Sequence, residues 1–145
     1  MIHAHKVGLL RSAMAACLGT VAGVHLELWW GQDYRLIPTI GDLFMAAVVS
    51  SVLLALFVLV LRVSRWLALA SVGGVLVCLG ALASYIASLL LPKGIFLFHE
   101  PSVSLAGAIA IVAESLGMLL GLTLAWVALG MPRLSSLLGT TNTLQ

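Results

Sequence analysis

Charge is scarce in this sequence, with seven Lys or Arg and five Asp or Glu among 145 residues. A soluble domain has about a quarter of its residues charged, so water is excluded as the main solvent. The basic residues are scattered and form no surface that could track phosphates, which excludes a nucleic-acid partner despite a net charge of +2. Cysteine is limited to Cys17 and Cys78. Both fall inside apolar runs without the spacing of a metal or redox motif, so they read as small buried hydrophobes. Prolines are few, and Pro92, Pro101 and Pro132 stand where apolar runs start or stop, as helix boundaries require.

What is abundant is hydrophobic side chain, at 62% of the chain. Four apolar runs emerge, at about 12–30, 43–61, 66–91 and 103–131. A span needs about 20 apolar residues, so the expected architecture is an all-α membrane protein. Its four-helix transmembrane domain covers 1–134, and a polar tail covers 135–145. No room is left for a separate soluble domain. Lys6 and Arg11 precede an apolar stretch, and Met14-Ala15-Ala16-Cys17 near its start imitates a lipoprotein cleavage box. The expectation is that this stretch is kept as the first span.

Orientation follows from the cations. Lys6, Arg11, Arg62, Arg65 and Arg133 fall on one side and Arg35 and Lys93 on the other, so the positive-inside rule places both termini in the cytoplasm. The expected location is the plasma membrane, crossed several times. Glu27, Asp33, Asp42 and Glu100 then face outward, and Glu114 is the one acid inside the membrane.

Gly19 and Gly23 form a GxxxG pair in the first span, and Gly117 and Gly121 form another in the fourth. Small residues at this spacing let backbones approach, so helix–helix seams are expected there, within the bundle or with another subunit.

The richest segment is 23–44, GVHLELWWGQDYRLIPTIGDLF, which joins the first two helices. Trp29, Trp30 and Tyr34 suit a membrane interface. His25 and Glu27 lie below the helix end, where a polar group needs protein or a water-filled cavity around it. Two residues apart on a helix, they project to nearly opposite sides and cannot chelate one ion together. Partners would come from the second loop, so the candidate polar or ligand cluster is His25, Glu27, Tyr34, Arg35, His99 and Glu100. A haem or metal at His25 or His99 is one outcome, and a hydrogen-bonded structural histidine is the commoner one. No metal is assigned, no catalytic residue stands out, and the only cofactors implied outright are lipids.

Glu114 is the sharpest single feature. An acid near the bilayer midplane must be protonated, paired or turned into a polar cavity. Gly107, Ala110, Gly117 and Gly121 share its face, which turns it into protein. The expected state is a neutral carboxyl hydrogen-bonded across helices, with Ser50, Ser51, Ser84 and Tyr85 as candidate partners.

Segment 23–44, together with 83–100 (ASYIASLLLPKGIFLFHE) and 108–120 (AIAIVAESLGMLL), resembles a group of uncharacterised small four-helix integral membrane proteins common in actinobacteria. In that group an outer His, a Tyr-Arg-x-Ile-Pro segment, an Ile-Gly-x-Leu-Phe start to the second helix and an acid in the last helix recur. The resemblance implies the architecture and directs attention to His25, Tyr34, Arg35, Pro38, Gly41, Phe44 and Glu114, but it implies no activity.

Three functions compete on this basis. Small size and the lack of a catalytic constellation favour a non-catalytic accessory or structural subunit of a larger respiratory or transport complex. Its partners would be other membrane subunits or a second copy. The alternatives are a small haem, metal or quinone-associated redox protein using the outer histidines, and a small dimeric proton-coupled transporter using Glu114. The sparse aromatic residues around Glu114 count against the last.

Overall fold

The computed structural model describes residues 2–62, 64–96 and 98–130. Its elements are α1 (Ile2–Gly31), a 3-10 turn at Tyr34–Leu36, α2 (Ile40–Val60), α3 (Ser64–Leu90) and α4 (Leu105–Ala128). All four helices are long and apolar enough to cross a membrane. Apart from one isolated bridge between Ile95 and Phe98, no strand pairing occurs among the described residues.

The helix boundaries differ from the apolar runs, with α2 starting at Ile40 and α3 at Ser64. Helix α1 begins at Ile2, well before residue 12, because backbone hydrogen bonds continue through the polar start where hydrophobicity does not. Helix α4 is trimmed to Leu105–Ala128, and Ser104 sets its start by accepting a hydrogen bond from the Gly107 amide at 3.0 Å. The expected tail, 135–145, lies outside the described residues.

The helices form a closed bundle in which α1 packs on α2 and α4, and α3 packs on α4 and less closely on α2. The buried seam of α4 runs through Gly107, Ala110, Glu114, Gly117, Gly121 and Leu124 at alternating steps of three and four, and α1 answers with Met14, Leu18, Val21, His25 and Leu28. Outside this seam the surface is apolar, with Leu56, Leu76, Leu119 and Leu122 each about half exposed or more. A polar solvent would penalise such a surface, whereas acyl chains would not.

Glycine is required where backbones nearly touch. A Cβ at Gly121 would sit 2.6 Å from Val75 Cγ2, 3.0 Å from Met14 Cε and 3.1 Å from the Ser71 carbonyl oxygen. At Gly117 it would sit 2.9 Å from Cys78 Sγ. For Gly19 and Gly23 a seam within the bundle is not found: both are exposed and have nothing within 4 Å of an added Cβ. They face away from the bundle because Met14, Leu18, Val21 and His25 occupy the inward stripe of α1.

One end of the bundle carries the termini side and the α2–α3 turn, and the other carries the connections 32–39 and 91–104. At the first end, Arg11 reaches from α1 to the end of α2, where its Nε donates to Val58 O at 2.7 Å and its Nη2 to Leu59 O at 2.6 Å and Leu61 O at 2.8 Å. These are carbonyls that a helix end leaves without intrahelical partners. At the other, loop end, the long connection is pinned to α3 by the Glu100 amide donating to Ser88 O at 3.2 Å.

Candidate functional site

The loop end closes over a cavity of about 350 Å³ that reaches down to Glu114. Its roof is made by the two connections. In the first, Gly41 lets α2 start against the preceding turn, since a Cβ there would lie 2.9 Å from both Cα and O of Arg35. This close approach explains the glycine of the Ile-Gly-x-Leu-Phe segment. It also aims Phe44 back at the turn, with its ring 5.3 Å from Tyr34 and 5.0 Å from His25. In the second connection, the Phe98 ring lies 5.2 Å from that of Tyr34.

Tyr34 is the centre of this roof. Its hydroxyl donates to Glu100 Oε2 at 3.1 Å and so joins the two connections across the mouth. Burial raises the phenol to about 12 from its ordinary 10.0, and the negative Glu100 adds to the rise because it disfavours a second anion beside it.

His25 is buried on the inward stripe of α1 and lines the cavity. Its Nδ1 lies 2.9 Å from Val21 O. Facing a carbonyl, Nδ1 must carry the proton in the neutral ring, which leaves Nε2 as an acceptor. The other members of the expected cluster stand apart. Glu27 is exposed on the opposite side of α1, with Oε2 3.4 Å from Gln32 Nε2. Arg35 lies over the Trp30 ring at 4.4 Å and pairs with Asp33 at 2.8 Å. His99 is exposed. The expected six-residue cluster therefore resolves into His25, Tyr34 and Glu100 at the cavity, with Glu27, Arg35 and His99 outside it. Among the described residues no three His, Cys, Asp or Glu side chains converge as metal ligands.

Glu114 is 1% exposed and forms part of the cavity wall, nine residues into α4 and hence about 14 Å below its start. The hydrogen bond expected across helices is not found: Glu114 Oε2 has no protein partner among the described residues. Ser51, one candidate partner, is itself buried with an unpaired hydroxyl, and Ser50 and Ser84 line the cavity without bonding to the acid. The reason for the two α2 serines is spatial, because α2 does not pack directly on α4. Tyr85 also has a buried, unpaired hydroxyl, lodged against Gly107 about two turns above Glu114.

The walls are otherwise apolar, and Phe44, Phe98 and both tyrosines stand among them. Tyr34 and Phe98 come from the connections, Phe44 from the start of α2 and Tyr85 from the loop-end part of α3. Tyr85 and Ser88 line the cavity in addition to the expected polar cluster. Their signal was the polar spacing Ser84, Tyr85, Ser88 on one stretch of an otherwise apolar helix. No protein-family model, no curated protein and no solved structure matches the chain.

Proposed function

We propose that this chain is a plasma-membrane bundle, with both termini in the cytoplasm, that binds a small lipophilic molecule in the cavity above Glu114. The observation that carries the reading is a buried carboxyl oxygen without a partner among the described residues, on a residue that lines a largely apolar cavity of about 350 Å³. Burying such a group costs roughly 1–3 kcal/mol when it is left unpaired, so a fold that keeps one gains from whatever completes it. Pockets of this size and lining suit small molecules held by apolar walls and a few polar groups.

Native mass spectrometry of the chain in lipid nanodiscs tests the reading. The wild type is expected to retain a small lipophilic adduct that Ala47→Phe, which fills the cavity wall, releases. Absence of any adduct from lipid extracts, or its full retention in the variant, overturns the proposal. Orientation is tested by single cysteines on a chain with Cys17→Ser and Cys78→Ser. An impermeant thiol reagent is expected to reach positions in the 32–39 and 91–96 connections of intact cells and not position 62.

A second reading, an accessory subunit of a larger membrane complex, is favoured by the outward face of α1. Gly19 and Gly23 lie beside a groove lined by Ala16, Thr20, Ala108 and Val112, and a partner helix could approach closely there. Co-purification of stoichiometric chains in mild detergent, lost on Gly23→Leu, supports this reading, and a bare chain counts against it.

A further inference from the structure

We infer that the cavity takes a protonated lipophilic amine, which enters sideways between the loop-end halves of α2 and α3 and places its ammonium at Glu114. This deepens the ligand-binding reading above and rests on it.

The route comes from how α2 and α3 diverge. Toward the termini end they touch, since a Cβ at Gly73 would lie 2.9 Å from Leu54 Cδ2. Two turns further along α3, about 10 Å away, a Cβ at Gly80 would meet nothing within 4 Å. Leu43 and Ala46 of α2 and Leu76 and Gly80 of α3 line the cavity and are exposed, where α2 and α3 pack less closely than the other neighbouring helices. The cavity is thus open through the side. The surface around this opening is apolar, so a ligand using it comes from among acyl chains.

The ligand's chemistry comes from the polar groups inside. Two carboxyls, Glu100 and Glu114, line the cavity, and among the described residues no Lys or Arg does. Arg35, the nearest candidate on the connection, is engaged outside by Asp33 and Trp30. His25 has its donor occupied by Val21 O, which leaves an acceptor. Such a set repels carboxylate and phosphate headgroups and asks for a cation that donates hydrogen bonds. An ammonium bearing N–H groups satisfies Glu114 as counter-ion and donor at once, where a buried unpaired carboxylate would be strongly penalised. Tyr34, Phe44, Tyr85 and Phe98 also line the cavity, and an aromatic face within reach of the ammonium adds cation–π attraction, while the apolar walls cover the hydrocarbon body.

The test compares photoreactive decylamine, decanol and decanoate, each with a diazirine in the chain, on the protein in zwitterionic nanodiscs. Crosslinked residues are mapped by mass spectrometry. The amine is expected to label the α2 and α3 walls of the cavity and to be competed by unlabelled decylamine about tenfold better than by decanol, with decanoate weakest. Glu114→Gln is expected to abolish the preference for amine over alcohol while alcohol labelling persists. Gly80→Phe, placed where there is open space, is expected to reduce labelling by both. Equal labelling by amine and alcohol in the wild type, or a preference that survives Glu114→Gln, overturns the amine inference and leaves the cavity reading standing. No cavity labelling by any of the three, or labelling indifferent to Gly80→Phe, overturns both.

Discussion

Tyr34 and Glu100, separated by 66 residues in sequence, hold the two loop-end connections together through one hydrogen bond of 3.1 Å. This bond joins the roof of the cavity, and the aromatic rings of Phe44 and Phe98 pack against the same tyrosine. Its chemistry leaves a titration signature. The folded protein holds the Tyr34 proton up to about 12, above the ordinary 10.0, so folding is favoured fully below pH 10 and this contribution is lost as pH rises through 12. With Tyr85→Phe, Tyr34 is the only tyrosine left, and its phenolate absorbance is expected to appear near pH 12. A midpoint near 10 would contradict the contact with Glu100. Glu100→Gln is expected to lower the midpoint by removing the neighbouring negative charge.

Arg11 gives a prediction on stability. It donates to three carbonyl oxygens at the end of α2, a task for which the guanidinium fork is shaped and a lysine is not. Arg11→Met is expected to cost about 2 kcal/mol, from carbonyls left partly buried and unpaired. Arg11→Lys should recover less than half of that loss. Unfolding in mixed micelles measures both, and equal stability of wild type and Arg11→Met would refute the capping role.

The glycines divide into two classes that a single substitution separates. Gly121→Leu must displace Val75, Met14 and the Ser71 backbone and is expected to destabilise by about 1–3 kcal/mol or to prevent folding. Gly19→Leu enters open space and should leave the unfolding of the isolated chain unchanged. Loss of stability in Gly19→Leu would show that its face is covered, which points to a second copy or another subunit.

How far these features were legible in the sequence depends on how local their cause is. The spans are local, because hydrophobic runs of sufficient length have one stable form in lipid, and Pro92 and Pro101 mark the long connection. The inward direction of Glu114 was also readable, since Gly107, Ala110, Gly117 and Gly121 recur on its face. The direction of Gly19 and Gly23 was not. A small residue permits close approach, but the partner is chosen by the larger side chains of the neighbouring stripe, here Met14, Leu18 and Val21. The same holds for Arg11, which counts as a topology marker in sequence and caps another helix in the fold. Least legible is the cavity itself. It arises because α2 and α3 meet at Leu54 and Gly73 and separate toward Gly80, and no local pattern encodes an angle between helices.

The final prediction concerns the cost of keeping Glu114. If its unpaired carboxyl serves a ligand, the ligand-free protein carries the desolvation of Oε2 without return. Replacing it with an apolar side chain of similar size removes that penalty and leaves the packing of α4 against Cys78 and Cys17 at Gly117 in place. Glu114→Leu is therefore expected to fold normally and to be more stable without ligand by about 1–3 kcal/mol. Glu114→Gln, which keeps a polar amide in the same place, should stay close to the wild type. Function is expected to move the other way: decylamine should raise the melting temperature of the wild type and leave that of Glu114→Leu unchanged, because only the former gains binding energy in the native state. Such an exchange of stability for binding is common where a site is built from groups that the fold alone would not select. Thermal melts of the three proteins in nanodiscs, with and without decylamine, decide the matter. A Leu variant that fails to fold would mean that Glu114 is held by a structural partner, and the carboxyl would then belong to the scaffold.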